Sequence, residues 1–326
     1  MAVPTFWFGN LQPQVTTPAA AERTDRKLGA PRASTALLLG LVVLVLGLNW
    51  PIMATGLRSI SPIWLASLRL LGGLLTVSII AAIGGDLQKP RRDDQPIIWS
   101  VGAGRLALVY FMVFSALKIL PPGRSSVLSW TSPLWAAPLA VAFLGEKMTR
   151  ARWLGIALGA VGLFFLFEPW RLDWGDGQIV IGHALLLGSA VVSAATLVQI
   201  RHHGGSRASA MQLMPWQMLA GAVPTTAIAF LVEGWPRIDW TPQLAAIVAY
   251  EGALAAAFVV WAQQIVLRRI SATSTNLILM AVPVVGLLSS ALLVDDPLTI
   301  GAVVGLALIM FGVAVNIKGA TIDPVV

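Results

Sequence analysis

Three ionisable side chains, Arg69, Arg105 and Glu251, fall well inside long apolar runs of the sequence. Their chemistry is recognition rather than bond making. A guanidinium is a planar fork of donors that matches a carboxylate, and a glutamate offers two acceptor oxygens to an amine or carries a proton. Two readings stand side by side. Either Arg69 or Arg105 forms a salt bridge with Glu251 that only locks helices, or one of these arginines meets a substrate carboxylate while Glu251 meets an amine. Asn49, Trp50, Tyr110, Trp130, Trp261 and Gln264 are the neighbouring candidates. They would line a pocket with flat apolar walls and a few polar contacts.

Pro51, Pro133 and Pro283 are the candidate hinges. A proline removes a backbone donor and frees an earlier carbonyl, which inside a membrane must be satisfied by a neighbour or by cavity water. Pro133 and Pro283 stand 150 positions apart. Matched interruptions in two halves of a chain point to a binding region or a hinge, with a plain kink as the other reading. Around Arg69, the residues Gly72, Gly73 and Thr76 share its helical face, where small residues either permit close packing or leave room for a ligand.

The elements that position these residues are set by composition. Of 326 residues, 57% are hydrophobic and 11% charged, with a mean hydropathy of +0.79. A soluble domain carries about 25% charged residues, so this chain is an integral membrane protein and the lipid bilayer is its first partner. The net charge of +7 is scattered through short loops. That distribution sets membrane orientation and makes no basic face for nucleic acid.

The sequence has no cysteine, no Gly-Lys-Ser/Thr phosphate loop and no His-Glu-x-x-His. His183, His202 and His203 lack metal-ligand spacing. No cofactor, metal or catalytic group is expected. A membrane enzyme and a channel remain the rival classes to a transporter.

Ten apolar runs meet the length of about 20 residues that a spanning helix requires: 34–56, 62–84, 97–118, 124–144, 150–169, 178–200, 209–232, 242–267, 272–294 and 297–317. Residues 1–33 read as a disordered cytoplasmic tail and 318–326 as a second cytoplasmic tail. With the N-terminus inside, fifteen Lys and Arg fall in inner segments and five in outer loops, which favours both termini on the cytoplasmic side.

An offset of 150 aligns Pro133 with Pro283, Glu146 with Asp296, Gly155 with Gly305 and Gly162 with Gly312. One ungapped offset linking such landmarks indicates duplication. Five spans per half is odd, so the second half enters the membrane inverted. "FLGEKMTRARW" (143–153) carries Lys147, Arg150 and Arg152, while its counterpart "LVDDPLTIGAV" (293–303) has no cation. The expected fold is therefore all-α: ten transmembrane helices as two inverted five-helix repeats, 34–169 and 178–317. Such repeats are a common architecture of secondary transporters.

The stretch "ALKILPPGRSSVLSWTSPLWAAPLAVAFLGEKMTRARWLGIALGAVGLFFL" (116–166) resembles the second part of an EamA repeat of the drug/metabolite transporter superfamily. Residues 266–315 resemble it again, with "DDP" where the family often has "GEP". "LGLNWPIMATGLRSISPIWLASLRLL" (46–71) resembles the family's signature over the first two spans, its Arg included. The resemblance covers about 34–317. It implies alternating access and export of a small molecule, with an aromatic or amphipathic amino acid, as for bacterial YddG-type exporters, ahead of cationic drugs. It also implies a cavity lined by spans one to four and six to nine. A monomer and a homodimer are both compatible, as are proton coupling through Glu251 and simple facilitation.

Overall fold

The protein is described by a computed structural model covering residues 33–145, 148–170, 176–203, 206, 208–267, 269, 275 and 278–321. The expected N-terminal tail therefore lies outside the described residues, up to Ala33. Among the described residues the chain is helical throughout. Helices α1 (Ala33–Gly56), α2 (Pro62–Ile83) and α3 (Arg92–Leu117) are followed by a span in two pieces, α4 (Pro122–Ser129) and α5 (Ser132–Leu144). Next come α6 (Arg150–Phe167), α7 (Gly177–His202) and α8 (Ala210–Val232). Helix α9 runs as Pro242–Ala249, Tyr250–Phe258 and Val259–Leu267, and α10 (Ala281–Leu293) and α11 (Ile300–Thr321) close the chain.

Among the described residues eight helical stretches are long and apolar enough to cross a membrane, and Ala281–Leu293 and Ile300–Val315 are shorter apolar helices. The span expected over 272–294 thus falls partly outside the described residues. The last helix continues to Thr321, past the expected end at 317.

Helix starts follow the local sequence. Pro62, Pro122 and Pro242 occupy first-turn positions, where the missing N–H costs nothing, and the side chains of Thr149, Asp176, Ser209 and Thr241 accept from the first turns of α6, α7, α8 and α9. Helix α2 borrows its cap. The Glu233 carboxylate, at the end of α8, accepts from the backbone of Ile63 and Trp64 at 3.0 Å each and from the Ser61 hydroxyl at 2.6 Å. A negative charge there also suits the positive end of the helix dipole.

The packing partners form a closed set. Helix α2 lies against α8 and α9, α3 against α7 and α8, and α1 against α9 and α10. Helix α4 contacts α10 and α7, and α5 contacts α7. Helices α6 and α11 pair with each other more extensively than any other two. Their backbones touch through glycines: a Cβ at Gly305 would lie 2.7 Å from the Gly162 carbonyl, and one at Gly312 would lie 2.6 Å from the Gly155 carbonyl. The glycine face of the fifth span is therefore used within the chain.

Two stretches depart from α geometry. Ser100–Leu108 in α3 and Tyr250–Phe258 in α9 are π-helical, and they stand 150 positions apart at both ends. Widened turns of this kind are rare and frequent at functional sites.

Candidate functional site

Arg69 sits on α2 and Glu251 on the π-helical stretch of α9, and the two form a salt bridge. Arg69 is 4% exposed and Glu251 0% exposed. Asn49 Oδ1 on α1 accepts from the same Arg69 nitrogen at 3.2 Å. The Tyr110 ring on α3 faces the guanidinium at 4.8 Å, a cation–π contact. Four helices thus converge on one ion pair.

The pair is incompletely satisfied. Arg69 Nε and Glu251 Oε1 are buried with no hydrogen-bond partner among the described residues. Buried polar atoms are usually paired, and exceptions ask for a reason. Here one donor of Arg69 and one acceptor of Glu251 stand open in the buried interior.

Of the two arginines that the sequence offers to Glu251, the structure selects Arg69. Arg105 is exposed on the π-helical stretch of α3 and makes no ion pair among the described residues. Trp50, 6% exposed, lies against Gly286 of α10. Trp130 occupies the turn between α4 and α5 and packs on two apolar clusters. Trp261 is 39% exposed and leans on Phe258, with ring centroids 5.9 Å apart. It lies ten residues beyond Glu251, so it stands apart from the pair. The Gln264 side chain lies outside the described residues.

Two of the three candidate hinge prolines stand just after a break in a span, and the third lies within a continuous helix. Pro133 follows the break at Trp130–Thr131, and Pro283 follows the turn at Met280 that precedes α10. The Trp135 indole donates to Thr131 Oγ1 at 3.3 Å, and Thr131 donates to the Leu128 carbonyl at 2.7 Å. Pro51 sits inside α1. Its missing N–H frees the Gly47 carbonyl, toward which Ser289 of α10 directs its hydroxyl at 3.5 Å.

Several features escaped the sequence. Tyr250, beside Glu251, donates its hydroxyl to the Val45 carbonyl of α1 at 2.6 Å. The hydroxyls of Ser126, Ser129 and Ser290 are buried without a partner in the seam between α4 and α10. At one end of that seam, Asp296 accepts from the Gly123 N–H at 2.8 Å, and Arg124 bonds Glu168 at 3.0 Å. Burial raises the Asp296 carboxyl above the ordinary aspartate range, opposed by that N–H and by Arg124. The spacing of Asp296 from Glu146 was visible; the partners were not.

Apolar helices converge here on a buried, partly unsatisfied ion pair, an arrangement compatible with a membrane transporter. The comparisons with known proteins agree. The profile of the EamA-like transporter family matches residues 33–168 and again 180–318, and the chain belongs to that family. It is similar to the "Uncharacterized transporter YoaV" of Bacillus subtilis, 27% identical over 293 residues, covering 86% of this chain and 96% of that one. A "Probable amino-acid metabolite efflux pump" of Escherichia coli is 28% identical over 294 residues, covering 86% and 93%. The "Aromatic amino acid exporter YddG" of Ancylobacter novellus is 26% identical over 238 residues, covering 70% and 78%. A solved crystal structure shares the fold with a TM-score of 0.59 at 23% identity, covering 87% of this chain and 96% of that chain.

Proposed function

We propose that this protein exports amino acids, aromatic or amphipathic ones foremost, across the bacterial inner membrane by alternating access, with both termini in the cytoplasm. The observation that carries this reading is the Arg69–Glu251 pair with one open donor and one open acceptor. A zwitterion fits it. Its carboxylate takes the Arg69 fork and its ammonium takes Glu251, so one internal ion pair is exchanged for two ligand pairs. Trp50, Tyr110 and Trp130 supply flat apolar walls for the side chain.

The electrostatics select for net neutrality. The empty site and the zwitterion-loaded site both carry no net charge, whereas an anion or a cation would leave an uncompensated charge. Such a charge in hydrocarbon costs at least about 2.5–3.5 kcal/mol. A cationic drug would satisfy Glu251 and strand Arg69, which ranks the multidrug reading second.

Two inverted five-helix repeats give the motion. Exchanging the halves maps the α2–α9 contact onto α8–α3, and α1–α10 onto α7–α5. The π-helical stretches coincide under the same exchange. This correspondence and the twofold family match support a duplicated unit whose lobes tip about a shared midplane. The gradient of the substrate itself suffices to drive it.

The test is counterflow into proteoliposomes of purified protein, with a panel of labelled amino acids and cationic drugs. Saturable exchange of neutral aromatic amino acids is expected, lost by at least about 100-fold in Arg69→Gln, a loss comparable to removing one partner of a buried pair. Unsaturable flux with single-channel currents would overturn the carrier mechanism. Exchange restricted to cations would overturn the substrate class.

A further inference from the structure

Helices α2 and α9 meet at glycine on both sides. A Cβ at Gly252 would lie 2.8 Å from Gly72 Cα, and one at Gly72 would lie 3.3 Å from Gly252 Cα. No side chain separates the two backbones there. Gly252 directly follows Glu251, and Gly72 is one turn beyond Arg69, so this crossing adjoins the ion pair on both helices.

The other half of the molecule repeats the contact without the charges. Gly102, 150 positions before Gly252, lies in the π-helical stretch of α3 against α8: a Cβ there would lie 2.6 Å from the Gln217 carbonyl, and one at Gly221 would lie 2.9 Å from the Gly102 carbonyl. Val101 stands where the counterpart carries Glu251. Besides the α6–α11 contact, two backbone-to-backbone crossings among the described residues thus have a π-helical partner, and one of them adjoins the ion pair.

A π turn inserts an extra residue and rotates the following side chains relative to an α-helix. In α9 it begins at Tyr250, whose hydroxyl is anchored to α1, so Glu251 is the first residue whose direction it can set. Glutamate reaches only a few ångströms from its backbone. The close approach of the two backbones therefore brings the carboxylate to the guanidinium.

We propose that Gly252 and Gly72 are positioning residues of the substrate site: their close crossing sets the registration of Arg69 on Glu251, and a side chain there uncouples the pair. The inference rests on the proposed role of the pair in transport. Its test is independent of transport.

The experiment is a double-mutant cycle of Arg69→Gln and Glu251→Gln, read as the unfolding equilibrium in detergent micelles under SDS titration. In the otherwise unchanged chain the two sites should couple by about 100-fold, as for a buried pair. In Gly252→Ala the coupling should fall below about tenfold. Gly102→Ala adds the same methyl at the uncharged crossing and should leave the coupling unchanged, however much it destabilises the fold. Gly72→Ala meets its neighbour at the longer distance and should give an intermediate value, so it carries the test if Gly252→Ala does not fold. Unchanged coupling in Gly72→Ala and Gly252→Ala, or an equal loss in Gly102→Ala, would overturn the proposal. Intact coupling losses alongside unaltered transport in all variants would instead overturn the substrate role of the pair.

Discussion

Arg69 and Glu251 are not equivalent partners, and their removal should show it. Replacing Arg69 by Gln leaves Glu251, 0% exposed, with no described donor. Stranding one member of a buried pair costs about 3–5 kcal/mol. Replacing Glu251 by Gln leaves Arg69 with the Asn49 oxygen at 3.2 Å and the Tyr110 ring at 4.8 Å. A desolvated cation–π contact retains about 2 kcal/mol, and a hydrogen bond to a charged group contributes about 1.5–3 kcal/mol. Those contacts also hold in the unchanged chain and do not add in full, so Arg69→Gln should destabilise more than Glu251→Gln by at least roughly 1 kcal/mol, or about fivefold in the unfolding equilibrium. The double variant strands no charge and should recover most of the loss. SDS titration in micelles, followed by tryptophan fluorescence and circular dichroism, measures all three. Equal destabilisation by the two single variants, or a double variant as unstable as the sum of both, would refute the account of this site.

Pro51→Ala should restore the hydrogen bond to the Gly47 carbonyl and straighten α1, slowing exchange while leaving substrate affinity within about twofold; counterflow rates against substrate concentration separate the two effects. Gly305→Ala should overpack the α6–α11 contact and destabilise by about 1–3 kcal/mol, read as a lowered SDS midpoint. The pH dependence involves Asp296. Its native carboxyl titrates above the ordinary aspartate value because of burial. Its contribution to stability is therefore full below the unfolded-state value and is lost as pH rises through the raised native one. Asp296→Asn should flatten that acidic part of the stability profile. Labelling from each side of the membrane should place the turn before Arg150 and the Asp296 turn in opposite compartments, as inverted halves require.

Much of the architecture was legible because the bilayer restricts what a sequence can do. Apolar runs of about 20 residues have few alternatives to a spanning helix, and ionised groups among them are too costly to be incidental. That made Arg69 and Glu251 visible as candidates. The choice between Arg69 and Arg105 was not visible, because depth along a span says nothing about the direction a side chain faces. The π-helical stretches left no trace in composition or periodicity, although Glu251 lies on one of them. Tyr250 was passed over beside its charged neighbour, since its partner is a backbone carbonyl 205 positions away. The buried serines of the α4–α10 seam look in sequence like ordinary small residues.

Glu233 belongs to the second half of the chain, yet it completes the first turn of a helix in the first half. The first half alone thus lacks the cap of its second helix. A fragment ending before residue 170 would expose the start of α2 with its donors open, and a cut within the segment joining α8 to α9 would reach the opposite lobe. The family profile matches the chain twice, but this shared carboxylate makes the first matched stretch depend on the second for completion.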